Sequence, residues 1–278
     1  MVMQKMNVSV IALIMAISTF ASAQSDGTSS VLSDKDIEVV HFADMTYPAA
    51  AQFSASDSEG IVVVRDRLDS TGDVVEATAL SGNDTLVADT LANAKKWRFK
   101  PNATKSAIIV YRFQFARGIC KQPSDYLTID APNLVTLTAC RPSKSDAIVL
   151  NKPRKSFAEA TKILVSDNEM QLQDFAEIDY PVAWEARIQG VVVVEAKLDE
   201  KGSVSDASAL FGNPILIPDC LANVKKWSFS PNAKHLAVVV YRFKMPCACL
   251  NNAPEGQHQF ILQPPNYVEV SHAPMWIQ

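Results

Sequence analysis

The chain has 278 residues, a formal net charge of −4, 48% hydrophobic residues and 20% charged residues. That is apolar material for two modest cores, and it excludes the low-hydrophobicity, high-charge composition of a disordered chain. The mild acidity gives no electrostatic reason to expect nucleic acid as a partner.

At the N-terminus, Lys5, the apolar stretch Val8 to Phe20, and Ala21-Ser22-Ala23 before Gln24 make the three parts of a secretory signal peptide. Residues 1–23 are therefore expected to be removed. The competing reading is a retained inner-membrane anchor, for which the stretch is shorter than the roughly 17–25 residues a span needs. Because Gln24 and not Cys follows the expected cut, no lipid-modified cysteine is expected. Export opens disulfide chemistry to the five cysteines, Cys120, Cys140, Cys220, Cys247 and Cys249. Cys120 and Cys140 flank one β-rich segment and are the candidate pair. Cys220 reads as a small buried hydrophobe.

A long segment is then written twice. Residues Gly60 to Phe113 and Gly190 to Phe243 align without a gap at an offset of 130 (190 − 60), with more than half the positions identical. Such a period suits a domain rather than a stacked solenoid unit. The likeness extends upstream at an offset of 133, where Tyr47-Pro48 matches Tyr180-Pro181, and downstream, where Ala131 to Val135 answers Pro264 to Val268. The copies thus span 33–140 and 166–275, with a connector at 141–165. That connector is basic, contains two prolines, and includes a stretch compatible with a short helix, Phe157 to Leu164.

Within each copy, Ile61 to Leu68 and Val191 to Leu198 are β-branched and then charged, as in a strand with one drier face. Asp69-Ser70-Thr71-Gly72 and Asp199-Glu200-Lys201-Gly202 then predict tight turns leading into the second strand of a hairpin. Asn83 and Asn213 are candidate caps for one amphipathic helix per copy, with Val87, Leu91, Ala94 and Trp97, or Ile217, Leu221, Val224 and Trp227, on its apolar face. The lysine pairs 95–96 and 225–226 suit the negative ends of those helices. Ala107 to Phe115 and Ala237 to Met245 alternate as third, antiparallel strands. Ile109, Tyr111 and Phe113, with Val239, Tyr241 and Phe243, are candidates for a partner-binding platform, core packing being the structural reading of the same rings. Arg112 and Arg242 are the candidate contacts on the opposite face.

This ordered set strongly resembles the TonB C-terminal domain family. It comprises Tyr47-Pro48, Gly60, Val62, Val64, Asp69, Gly72, Trp97, Phe99 and Pro101, and recurs as Tyr180-Pro181, Gly190, Val192, Val194, Asp199, Gly202, Trp227, Phe229 and Pro231. The resemblance implies an α+β fold. Each of two small repeated domains would hold a three- or four-stranded antiparallel sheet packed on two helices, in the periplasm of a Gram-negative bacterium. It also implies recognition of envelope proteins, outer-membrane receptors among them, by strand addition.

No phosphate loop, nucleophile elbow, His-Glu-x-x-His or acid/base pair recurs in the copies, so a non-enzymatic protein without cofactor is expected. Cys247, Cys249, His258 and His272 lack the tight spacing of zinc modules, so no metal is expected either. The leading reading is an exported binding protein of the envelope. The alternative is a component of TonB-dependent transport held at the inner membrane by an uncleaved N-terminus. Self-association is a further expectation, since duplicated domains can reuse a dimer interface in a pseudo-twofold pair.

Overall fold

A computed structural model describes residues 31–52, 59–116, 125–130, 133–140, 163–181, 187–245 and 258–272. Chain order begins with β1 (Val39–His41), the single turn α1 (Ala49–Gln52), and the hairpin β2 (Gly60–Leu68) and β3 (Val74–Gly82). Next come α2 (Asp84–Ala94), the short β4 (Arg98–Phe99), the long β5 (Ser106–Phe115), and the hairpin β6 (Tyr126–Asp130) and β7 (Leu134–Ala139). After β8 (Ile163–Ser166), β9 (Leu172–Asp174) opens the second round: β10 (Gly190–Leu198), β11 (Val204–Phe211), α3 (Ile217–Val224), β12 (Ser228–Phe229), β13 (Leu236–Lys244), β14 (His258–Gln263) and β15 (Tyr267–His272).

The local chemistry of each round accounts for its elements. Asp69 closes the first hairpin turn by accepting from the backbone N–H groups of Thr71 (2.8 Å) and Asp73 (3.0 Å). Asp199 does the same for Lys201 and Ser203, both at 2.8 Å. Gly72 and Gly202 follow at φ 89° and 86°, and a Cβ at either would sit 1.8 Å from the carbonyl oxygen of Phe99 or Phe229. Only glycine fits there, on backbone conformation and on space. Asn83 caps α2 through Thr85 N–H at 2.9 Å. Its counterpart Asn213 accepts from Ile215 N–H at 3.0 Å, but α3 begins only at Ile217, behind Pro214 and with Pro218 in its first turn.

The strands assemble into two large sheets. The first runs β6-β7-β5-β2-β3-β8 and the second β14-β15-β13-β10-β11, with β1-β4 and β9-β12 as two small satellites. This corrects the expected α+β fold with three- or four-stranded sheets on two helices. Among the described residues the protein is mostly β, about half strand and a sixth helix with three α-helices, and its principal sheets have six and five strands. Two physical causes account for the difference. The hairpins β6-β7 and β14-β15 add to the third strands, with β7 parallel to β5 and β15 parallel to β13. Among the described residues, each round also has a single helix of more than one turn, α2 or α3.

Both faces of the central strands are dry, where the sequence reading allowed one. Val62, Val64 and Leu68 face α2, as Gly82 packed between Val62 and Val87 indicates. Yet Ile61 and Val63, on the other face, are equally buried, as are Val191 and Val193 in the second sheet. Residues on that second face reach the opposite sheet: Arg112 meets Glu269 at 3.3 Å, and Asn266 donates to Ser81 Oγ at 3.4 Å. The two sheets therefore lie face to face with their helices outside, sharing one continuous core.

Candidate partner-binding edges

The structure places all six apolar platform residues in the core. Ile109, Tyr111, Phe113, Val239, Tyr241 and Phe243 are fully buried. Both edges of their strands are occupied, β5 by β2 and β7, β13 by β10 and β15. β7 covers Val110–Phe115 of β5 and β15 covers Val240–Lys244 of β13, so an extended segment can reach those stretches only by displacing β7 or β15.

Part of this burial serves a polar clamp that sequence reasoning missed. The side-chain amide of Asn93 donates to the carbonyls of Ala43 (3.0 Å) and Asp44 (3.1 Å), and its oxygen accepts from Trp97 Nε1 (2.9 Å) and Tyr111 Oη (3.0 Å). Asn223 repeats every bond, to Ala176 and Glu177 at 3.0 Å each, Trp227 at 3.0 Å and Tyr241 at 2.8 Å. All four hydrogen-bonding positions of a buried amide are filled, so the pre-helical loop, helix and third strand are fixed together. The available signal was an Asn four residues before Trp on an otherwise apolar face, in both copies.

Arg112 and Arg242 are not solvated. The Arg112 side chain is 18% exposed, donates to Gln263 Oε1 at 3.3 Å, pairs with Glu269, and lies 4.6 Å from the Tyr267 ring centre. Arg242 is buried at 9% and stands beside Glu269 in the β13-β15 register. Lys244 also pairs with Glu269. Burial alone would raise the Glu269 carboxyl, but the Lys244 hydrogen bond and the charges of Lys244 and Arg112 hold it below the usual range. Beside this cluster, Glu59, Arg112, Gln114, Phe115, Ile261 and Gln263 line an open cleft of about 390 Å³.

The strand edges left open lie elsewhere. Within the described residues, β6 and β8 end the first sheet and β14 and β11 the second; β6, β8 and β14 pair with a strand on one side only, while β11 takes a bridge from Leu32 on its outer side. β6 presents Tyr126 and Ile129 to solvent, and β14 presents Ile261. Such apolar side chains on an unpaired strand make a template for an added strand.

Two buried carboxyls stand apart from these edges. Asp66 is fully buried with neither oxygen hydrogen-bonded, and desolvation pushes its pKa up to about 8. Its counterpart in the second copy is Ala196. Asp167 has one buried, unpartnered oxygen, and burial together with the Asp84 charge pushes it up to about 7. Among the described residues no group of His, Cys, Asp and Glu could hold a metal ion, and no helix is long and apolar enough to cross a membrane. Cys140 is disulfide-bonded and Cys220 is free and buried. Residues 1–23, Cys120, Cys247 and Cys249 lie outside the described residues, as does the connector up to residue 162. Ile163 and Leu164, the end of the stretch read as a short helix, are strand.

No curated protein and no solved structure matches the chain. The second copy does match a family: residues 176–247, running from the Asn223 clamp's loop through β13, fit the family model for the Gram-negative bacterial TonB protein C-terminal, so the chain carries a TonB C-terminal domain there.

Proposed function

We propose that this is an exported, non-enzymatic binding protein of the Gram-negative envelope, taking an extended segment of a partner protein on the outer edges of β6 and β14. The TonB C-terminal match supports a TonB-like envelope protein, since such domains are protein-interaction modules that engage envelope proteins such as outer-membrane receptors. The observation that carries the binding mode is the sheet order. With β5 and β13 flanked on both sides, main-chain hydrogen bonding to a partner falls to terminal strands, and of the four that end the two large sheets, β6, β8, β11 and β14, the reading takes β6 and β14, the outer strands of the added hairpins. The first copy is read as a second unit of the same kind, 33–140 against 166–275, behind a cleaved signal peptide at 1–23. A Cys120–Cys140 bridge would clip the β6-β7 hairpin to the end of β5.

The test is affinity capture from native envelopes with tagged protein spanning residues 24–278. Recovery of envelope proteins, outer-membrane receptors among them, is expected, with recovery lost when prolines are placed at Leu127, Thr128 or Ile129 and at matching β14 positions. Capture that survives every edge proline would overturn the binding mode. The family match by itself also favours a second reading, a transport component held at the inner membrane by an uncleaved N-terminus. A mature chain beginning at Gln24 contradicts that reading.

A further inference from the structure

The charge cluster beside the cleft holds more cations than it can neutralise from within. Both oxygens of Glu269 are taken: Oε2 accepts from Arg112 Nη1 at 3.3 Å and from the Tyr267 hydroxyl at 3.2 Å, and Oε1 pairs with Lys244. Arg242 is left over. It is 9% exposed and stands beside Glu269 in the β13-β15 register, yet among the described residues it has no hydrogen bond or ion pair. Tyr267 lies in the fields of both arginines, which puts Arg242 in the same cluster. The acid among the residues lining the cleft is Glu59, whose Oε1 accepts from Phe115 N–H at 2.6 Å. Arg112, Arg242 and Lys244 thus face two carboxylates, Glu269 and Glu59, with a net charge of +1 (3 − 2). A guanidinium does not shed its proton to escape burial, so an arginine buried without a counter-ion is destabilising until an anion is supplied.

The cleft adjoins an open strand edge. Ile261 and Gln263 line it from β14, so the side chains on that face of an added strand would extend its wall, while the alternate ones would fall beside Phe260 and Leu262. Phe260 stacks on Phe175 at 5.8 Å, and Phe175 is 39% exposed, so the second side is an apolar bed. Arg112 stands across the cleft. It donates Nε to Gln263 and one Nη to Glu269, which leaves guanidinium donors for a second carboxylate. When Arg112 turns to that carboxylate, Glu269 is freed for Arg242, its register neighbour, and both arginines are paired.

We infer that the cleft is the specificity pocket for the segment taken by β14, and that it receives one carboxylate side chain, Asp or Glu, from a strand whose flanking residues are apolar and lie against Phe260 and Phe175. This rests on the edge-binding reading of β14. Arg112 clasps the acid through charge-assisted hydrogen bonds, and Arg242 is a positioning residue that takes over Glu269. A neutral side chain at the same place leaves the surplus cation unpaired, which is the source of discrimination.

The probes are two capped peptides, acetyl-Thr-Val-Thr-Val-Glu-Val-Thr-amide and the same sequence with Gln for Glu, titrated by NMR into the chain spanning residues 24–278. Each puts its valines on one face and the tested residue on the other. Shifts of the β14 amides report edge binding, and the ratio of affinities reports the pocket. The Glu peptide is expected to bind at least about tenfold more tightly. Gln114→Glu supplies a carboxylate within the cleft itself and should abolish the preference. Arg242→Gln removes the surplus cation and should bring the ratio to about twofold or less, with binding of the Gln peptide retained. Equal shifts and equal affinities for the two peptides would overturn the inference and leave the edge reading standing. A preference unchanged in both variants would overturn it too. If neither peptide moves the β14 amides, the edge reading at β14 fails and the inference fails with it.

Discussion

Asp66 is the residue whose chemistry departs furthest from its surroundings. Its carboxyl, with no hydrogen bond and no exposure, is held near pKa 8 by desolvation against an ordinary value of 3.8. The folded state therefore binds more protons than the unfolded state between about pH 4 and pH 8, and stability falls as pH rises through that window. Asp66→Ala, which installs the residue found at the matched position Ala196, is expected to stabilise the protein by on the order of 2–4 kcal/mol near pH 8 and to give little or a small loss near pH 4. Thermal melts across pH 4–9 check this, and an equal shift at both ends would contradict it. Asn93 behaves in the opposite sense. Asn93→Ala strands an indole N–H, a phenol hydroxyl and two carbonyls, at a cost of about 2–4 kcal/mol in denaturant unfolding. At this scale the sequence was legible where a residue acts through its own backbone, as Asp69, Gly72 and Asn83 do. It was not legible for Asn93 or Arg112, whose roles depend on partners up to 157 positions away.

At the scale of elements, the hairpin β2-β3, the helix of each copy and the long third strands follow directly from periodicity and turn chemistry. Gly72→Ala should test the tightest of these turns. A Cβ meeting the Phe99 carbonyl at 1.8 Å forces β4 away from the hairpin, and a loss of more than about 2 kcal/mol is expected, with Gly202→Ala matching it in the second copy. Equal stability of the glycine and alanine forms would contradict the packing described. Alternation along β5 showed two faces, but not that both would be covered. Burial of Ile61, Val63, Ile108 and Val110 depends on a second sheet, and a strand with two dry faces can read like a half-buried one when Arg112 interrupts it. The parallel pairing of β7 with β5 was similarly hidden, because edge pairing leaves no period in the sequence.

For the whole molecule, the strand order that recurs in the two large sheets is the organising feature. Two copies of one strand order lie face to face, trade leading segments, and end in the hairpins β6-β7 and β14-β15, so the edges that a lone domain would leave open are closed. On the proposed reading, binding shifts outward by two strands, to β6 and β14. The account rests on those hairpins being integral to the sheets, and hydrogen–deuterium exchange on the free full chain examines it most directly. Amides of β5, β7, β13 and β15 should be protected to the level of β2 and β10, while outward-facing amides of β6 and β14 exchange rapidly. Fast exchange throughout β6-β7 and β14-β15, with the β5 and β13 edges losing protection alongside them, would contradict it.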